Sequence, residues 1–150
     1  MKNILIICMK YNFDSSIGRL SQIVSKRIGA KIQSEFKKES LEYTSDDWTI
    51  IAYLFNYKHQ TQKELVNATG KNKVAITRNL LSLENNGVII REIKATDKRA
   101  NTVILTAKGT SLYKKMLNIV EYVLDDVFLD ISDNDIKLVA KVLKNIAKET

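Results

Sequence analysis

The chain has 150 residues, of which 45% are hydrophobic and 27% charged, ordinary values for a globular protein rather than an intrinsically disordered one. The single cysteine excludes an internal disulfide, and with only one histidine a Cys/His zinc site within one chain is also excluded. The formal net charge is +7.

The sequence starts with a short apolar run at residues 4–9. This run is too short for the apolar region of a signal peptide, and no stretch reaches the roughly 18 apolar residues of a membrane span. We therefore expect a buried terminal segment in a cytoplasmic protein with no membrane association.

The first helix is predicted to begin near Asp14, a good N-cap residue, and to continue past Phe36, because apolar residues recur there at helical spacing. A second helix is expected after Thr44, which with Asp47 resembles a capping box. The residues of this second helix that are predicted to face inward are Trp48, Ile51 and either Leu54 or Phe55.

Two further helices are predicted in the middle of the chain. Thr61 and Glu64 form a capping box that opens a short helix, and Gly70 ends it. Asn72 caps the next helix, which runs to a stop at Gly87.

A hairpin is predicted after this stop, because the pattern changes to β-branched residues at 88–93 and 102–105, with a long basic tip at 94–100. The last two helices are predicted to follow N-caps at Thr106 and Ser132.

The positive charge is concentrated in this middle segment. Residues 1–57 carry a net charge of +2, residues 58–108 carry +6 and residues 109–150 carry −1. A localised basic segment between nearly neutral flanks is typical of a surface that binds a polyanion. The alternative is a solvated surface that is merely rich in lysine.

The order of helix, short helix, turn, helix and basic hairpin is the plan of a winged helix-turn-helix, whose second helix enters the major groove of DNA. In that helix Ile76, Leu80 and Leu83 form an inward stripe, so the opposite face is small and basic. There Arg78 can donate two hydrogen bonds to a guanine edge, and Ala75 can contact a thymine methyl group. The residues expected to contact phosphates near the helix start are Lys71, Asn72, Lys73 and Thr77. The alternative is an exposed helix with incidental charges.

Five short motifs follow one another in this region. They are Thr61-Gln62-x-x-Leu65, Ile76-Thr77-Arg78, Leu83-Glu84-x-x-Gly87-Val88-Ile89-x-Arg91, Asp97-x-Arg99 and Leu105-Thr106-x-x-Gly109. Together they resemble the multiple-antibiotic-resistance regulator (MarR) family of transcription factors, over about residues 44–112. The chain departs from the family pattern at Val88, where leucine is usual, and at Lys98, where arginine is frequent.

The resemblance implies a mainly α (α+β) fold, a winged helix-turn-helix with long N- and C-terminal dimerisation helices. Residues 1–150 would form a single domain, with a DNA-binding lobe at 44–106 and dimerisation helices at 1–36 and 107–150. It implies a homodimer that binds a pseudo-palindromic operator in double-stranded DNA, without a cofactor. Repression is the preferred interpretation, although the sequence leaves activation open.

The resemblance also assigns roles in the hairpin, or wing. Arg99 matches the arginine that enters the minor groove, and Asp97 matches the aspartate that holds the shape of the wing. Arg91 matches the arginine at the end of the first wing strand. Lys94 and Lys98 add positive charge at the tip.

Many members of the family release DNA when a small aromatic acid or phenol binds between the dimerisation helices and the DNA-binding lobe. The candidate effector-binding residues here are Tyr11, Phe13, Arg19, Trp48 and Tyr113. The alternative is that the aromatic residues belong to the core or to the dimer interface.

Other functions are weighed against this one. Cys8 raises the possibility of a redox-sensing regulator, but it lies in an apolar run, where burial lowers thiol reactivity, and well upstream of the sensing cysteine of the family. A winged-helix module that binds protein is the other alternative, and the basic wing tip argues against it. We expect no enzyme, because the chain has no phosphate-binding glycine loop and no plausible catalytic triad. We expect no metal site, with His59 at the surface.

Overall fold

The computed structural model describes residues 11–93 and 101–148. Within these ranges the chain forms six helices and three short strands. They are α1 (Ile17–Lys38), α2 (Ser45–Tyr57), β1 (Gln60–Thr61), α3 (Gln62–Thr69), α4 (Lys73–Asn85), β2 (Ile89–Ile93), β3 (Asn101–Leu105), α5 (Ala107–Val127) and α6 (Asp133–Ala147).

The predicted caps are present at the start of five helices. Full capping boxes begin α2 and α3, each with a threonine side chain that accepts from the backbone N–H three residues on. The side chains of Asn72, Thr106 and Ser132 accept in the same way at the starts of α4, α5 and α6. The local sequence therefore fixes where these helices begin.

The predicted N-cap at Asp14 is wrong. Helix α1 begins at Ile17, and Ser16 in the N-cap position forms no side-chain cap hydrogen bond. The Asn12 side chain instead accepts hydrogen bonds from the backbone N–H groups of Asp14 and Ser15, at 2.8 and 3.2 Å. These two hydrogen bonds hold the backbone of Asp14 and Ser15 in a local turn. The same backbone groups are therefore not available for a helix that starts at Asp14.

The sheet has three antiparallel strands in the order β1-β3-β2. The predicted hairpin is confirmed, with Arg91 opposite Val103. Strand β1 pairs with the other edge of β3 and was missed, because two residues carry no alternating pattern. The predicted basic tip, with Lys94, Asp97, Lys98 and Arg99, lies outside the described residues.

One hydrophobic core joins helices α1 to α5 to the sheet. Its fully buried side chains are Phe36, Ile50, Ile51, Leu54, Leu65, Ile76, Leu80, Leu83, Val88, Ile89, Val103 and Met116. The inward positions of Ile51 and Leu54 are confirmed, and Trp48 is half-buried. Of the two alternatives Leu54 and Phe55, Leu54 is the inward residue, and Phe55 is 38% exposed because it lies about 100° around the helix from Leu54.

The start of helix α5 is hydrogen-bonded to residues 87–88, which form the base of the wing. The Thr106 hydroxyl donates to the carbonyl oxygen of Gly87 at 2.7 Å, and the Thr106 backbone N–H donates to that of Val88 at 3.0 Å. A Cβ atom added at Gly109 would overlap the Val88 carbonyl oxygen. This joint sets the direction in which α5 leaves the winged helix.

Helix α6 presents an apolar face that none of the other described residues buries. None of its residues is buried, although apolar side chains recur along one side of it. The exposed ones include Leu138, Val139, Val142, Leu143 and Ile146. The start of α1 exposes Ile17, Leu20 and Val24 in the same way. None of the helices in the described ranges is long and apolar enough to cross a membrane.

Candidate nucleic-acid interface

A tight turn joins α3 to α4. Gly70 ends α3 with a φ of +66°, a left-handed conformation that glycine adopts readily, and Asn72 begins the next helix. The Gln62 side chain donates to the Thr77 hydroxyl at 2.6 Å, and that hydroxyl donates to the Lys73 carbonyl at 2.8 Å. These hydrogen bonds tie the start of α3 to the first turns of α4.

Helix α4 presents the predicted two faces. Ile76, Leu80 and Leu83 are fully buried, while Arg78 is exposed and Val74 is 78% exposed. Ala75 is half-buried beside them. The outer face therefore combines a guanidinium group with small and apolar side chains, which is the chemistry that reads base edges.

Asn79 is a buried residue of α4 that the sequence reasoning missed. Its side chain is 7% exposed and donates to a carboxylate oxygen of Asp47 at 2.8 Å. A signal was available, because Asn79 stands three residues after Ile76 and so lies on the inward stripe.

A basic groove lies beside the start of α4, between α3 and the wing strands. It has a volume of about 490 Å³. Its lining residues are Thr61, Gln62, Lys63, Val66, Lys73, Arg91 and Asn101. Three of these side chains are cationic and none is a carboxylate. Arg91 is ion-paired to Glu84, but Lys63 and Lys73 keep the groove positively charged, which suits a phosphate backbone. Lys63 was not predicted as a contact residue. Its place in the first turn of α3 was the signal that could have indicated it.

The predicted contact residues differ in how free their side chains are. Lys71 is ion-paired to Asp46 at 2.7 Å, and Arg91 to Glu84 at 3.0 Å. Thr77 is engaged in the hydrogen bonds between α3 and α4. In contrast, the charged groups of Lys73 and Arg78 form no ion pair with the residues that the structure describes.

The five candidate effector residues fall into two groups. The Arg19 guanidinium lies 4.4 Å from the centre of the Phe13 ring and donates to the Phe13 carbonyl, and Tyr11, two residues before Phe13 in the chain, is exposed. The Trp48 ring stacks on Tyr113 at 5.5 Å. Within the described part of the chain, no ring contact joins the first group to the second.

A cavity of about 430 Å³ lies where α1, α2 and α5 meet the turn before α4. Its lining residues are Ser25, Ile28, Gly29, Ile32, Ser45, Asp46, Trp48, Thr49, Thr69, Lys71, Val120 and Leu124. Trp48 is the one predicted effector residue in this wall. The ion pair of Lys71 with Asp46 also belongs to it, so the wall reaches the turn that leads into α4.

Cys8 and His59 are the residues on which a redox-sensing or metal-binding function would depend. Cys8 lies outside the described residues. The His59 Nδ1 atom is 3.6 Å from a Glu92 carboxylate oxygen, and both side chains are about half-exposed. Among the described residues, no group of three or more histidine, cysteine, aspartate or glutamate side chains could hold a metal ion.

Known proteins resemble this chain in structure rather than in sequence. No protein-family sequence model matches the chain. A MarR-family transcriptional regulator from Rhodococcus sp. RHA1 superposes with a TM-score of 0.81 and 16% identity, covering 94% of this chain and 100% of that one. CouR of Rhodococcus jostii RHA1, solved with bound p-coumaroyl-CoA, gives a TM-score of 0.79 and 18% identity over 94% and 98% of the two chains.

BpsR of Bordetella bronchiseptica, whose DNA binding is regulated by 6-hydroxynicotinic acid, gives a TM-score of 0.77 and 17% identity, over 92% of this chain and 97% of its own. The similarity extends over the terminal helices as well as the winged helix, since nearly the whole of each chain is covered. The resemblance inferred from the motifs is thus confirmed at the level of the fold. The chain has the winged-helix fold of the MarR-family transcriptional regulators.

Proposed function

We propose that this protein is a sequence-specific transcriptional regulator, with no catalytic activity, that binds a pseudo-palindromic operator in double-stranded DNA as a homodimer. Repression is the simplest mode, because a dimer seated on a promoter blocks it. The observation that carries the proposal is the exposed outer face of α4, with Arg78 at its centre, beside a groove that holds three cationic side chains.

The contacts divide by chemistry. Arg78 and Ala75 would meet base edges in the major groove. Lys63 and Lys73 line the basic groove and would contact phosphates, together with Asn72 at the start of α4. Lys71, Thr77 and Arg91 remain candidates, but each must give up or share an internal partner to bind DNA. The wing residues Lys94, Asp97, Lys98 and Arg99 complete the proposal as predictions from the sequence.

The proposed dimer rests on the uncovered apolar faces. Helix α6 is 15 residues long and exposes its apolar side chains along one side, and the start of α1 adds more. A second copy related by a twofold axis would cover both faces at once. It would also set two α4 helices about 34 Å apart, one turn of DNA. In this arrangement 44–106 is the DNA-binding lobe, and 1–36 and 107–150 form the dimerisation helices.

Charge reversal tests the proposal against a protein-binding module. Arg78→Glu and Lys63→Glu each place a carboxylate on the proposed DNA face, and Lys37→Glu makes the same charge change at an exposed position at the end of α1, outside the proposed dimerisation segments. Fluorescence anisotropy with a labelled mixed-sequence duplex gives the affinities. We expect a large loss for the first two variants and a small one for the control. Equal losses in all three would show only a response to net charge and would contradict the proposed face.

We also propose that a small aromatic or phenolic acid binds the cavity between α1, α2 and α5 and releases the DNA. The support is its volume, its half-buried Trp48 wall and the Lys71 cation paired to Asp46 at its edge. An acid that competes with Asp46 for Lys71 would disturb the turn before α4. The similar structures of BpsR and CouR involve 6-hydroxynicotinic acid and p-coumaroyl-CoA, both anionic at neutral pH.

Trp48 makes this second proposal testable, because it is the only tryptophan in the chain. We expect 6-hydroxynicotinate or 4-hydroxybenzoate to change its fluorescence in a saturable way. Thr49 lies in the same wall, so Thr49→Phe should fill the space and abolish the change, while Thr49→Ser should keep it. Saturable binding that is unchanged in Thr49→Phe would contradict this location.

A further inference from the structure

The buried stripe of α4 contains one polar residue. Ile76, Leu80 and Leu83 are fully buried, and Asn79 among them is only 7% exposed. A buried amide destabilises the fold unless it is hydrogen-bonded, and a leucine in its place would complete an apolar stripe. The position of Asn79 therefore calls for a reason other than core packing.

The partner of Asn79 is a buried carboxylate. Asp47 is 6% exposed, and its Oδ1 atom accepts from the Asn79 amide at 2.8 Å. Its Oδ2 atom accepts from the backbone N–H and the hydroxyl of Thr44, both at 2.8 Å. No cation in the described residues pairs with it. Burial and, to a smaller extent, the Asp47 charge raise the pKa of the neighbouring Tyr43.

This hydrogen bond determines the orientation of the two helices more than it stabilises the fold. A buried carboxylate with neutral partners contributes little to stability. A hydrogen bond between two helices is satisfied in only one geometry, whereas aliphatic side chains can pack in several. Asp47 is itself held by the capping box of α2. It therefore gives α4 a fixed reference point on α2.

We propose that the Asp47–Asn79 hydrogen bond fixes the rotation of α4 about its axis, which makes both residues positioning residues for the DNA-reading side chains. A rotation of about 20° moves an atom about 6 Å from the helix axis by about 2 Å. That displacement exceeds the tolerance of about 0.5 Å for a base contact. Arg78 is adjacent to Asn79, so it follows any such rotation directly. This inference rests on the proposed function, and neither residue touches DNA in it.

An exchange of the two side chains tests the proposal. Asn79→Asp sets two carboxylates against each other in a buried site. Adding Asp47→Asn restores an amide and a carboxylate with the donor and acceptor reversed, and the new asparagine still accepts from Thr44. Asn85→Asp is the matched control, because it makes the same change at an exposed position of α4. If Asn79→Asp does not fold, Asn79→Leu takes its place as the variant without the bond.

Two measurements separate this proposal from the proposed function. Amide ¹H–¹⁵N correlation spectra of the free protein report the position of α4 without DNA. The ratio of affinities for a selected operator and a random duplex reports the reading of bases. We expect Asn79→Asp to shift the α4 resonances and lower the ratio by about tenfold, the effect of one lost base contact. The double variant should return to within about twofold of the wild type, and Asn85→Asp should keep the ratio.

The proposal is overturned if α4 resonances in Asn79→Asp match the wild type, or if the double variant stays as displaced as the single one. It is also overturned if both duplexes weaken equally in Asn79→Asp while its spectrum shifts, because the rotation would then not govern base reading. If the wild type selects no operator, the proposed function fails, and the spectra alone decide whether the bond fixes α4.

Discussion

Gly109→Ala is expected to destabilise the protein, although alanine is the better helix former. The added Cβ would overlap the carbonyl oxygen of Val88. Neither atom can move freely, because the Cβ is attached to the backbone of α5 and the oxygen belongs to the backbone just before β2. That oxygen accepts from the backbone N–H of Thr106 at 3.0 Å, while the Thr106 hydroxyl donates to the neighbouring Gly87 carbonyl at 2.7 Å. Relief of the overlap therefore requires α5 to move away from the base of the wing.

The size of the effect follows from three contributions. Overpacking at such a contact costs about 1–3 kcal/mol, and weakening the two hydrogen bonds that Thr106 donates to Gly87 and Val88 costs about 1 kcal/mol each. The gain in helix propensity offsets about 1 kcal/mol. We expect a net loss of about 2–4 kcal/mol in the free energy of unfolding, which lowers Tm by at least about 4 °C for a chain of this size.

Urea and thermal unfolding followed by far-ultraviolet circular dichroism measure this loss. All variants are compared at one protein concentration, because association makes Tm depend on concentration. Gly18→Ala in α1 is the matched control, since nothing lies within 4 Å of its added Cβ. We expect it to be neutral or to stabilise by up to about 1 kcal/mol. A Gly109→Ala variant as stable as the wild type would refute the reasoning about the joint between α5 and the wing.

Three further predictions concern function. Arg78→Ala should cost about 1–3 kcal/mol for duplexes with the preferred base and little for others, as measured by competition between single-base operator variants; a uniform loss would contradict a base contact. Lys73→Ala and Lys63→Ala should each weaken binding to all sequences and reduce the salt slope of log Kd by about one, and an unchanged slope would exclude a phosphate contact. Leu143→Glu, on the exposed face of α6, should convert the proposed dimer to a monomer in sedimentation equilibrium and abolish operator binding; a dimer that persists would move the interface elsewhere.

Local signals in the sequence were sufficient for most helix starts. A capping box needs only residues three apart, so Thr44 with Asp47 and Thr61 with Glu64 were predicted from adjacent sequence. The stop at Gly87 was equally local, because its φ of +66° favours glycine. At Asp14 the same reasoning failed, since a neighbouring side chain competed for the backbone.

Features that depend on distant contacts were not predictable in this way. Strand β1 exists because β3 offers a free edge, and its two residues hold no pattern of their own. The pairing of Asp47 with Asn79 joins residues 32 positions apart. Likewise, Lys71 and Arg91 were predicted as available cations, but folding supplies each with an acidic partner. The chemistry of the DNA-binding face was thus predictable, whereas the internal bonds that hold it were not.

Selection of bound duplexes from random DNA at about 150 mM salt, where nonspecific contacts weaken, tests the central claim most directly. A dimer that reads DNA through two α4 helices should enrich an inverted repeat whose half-site centres lie about 10 base pairs apart. The Arg78→Ala protein, selected in parallel, should lose the preference at one position in each half-site. Binding that shows no enriched sequence in the wild-type protein would contradict a sequence-specific regulator.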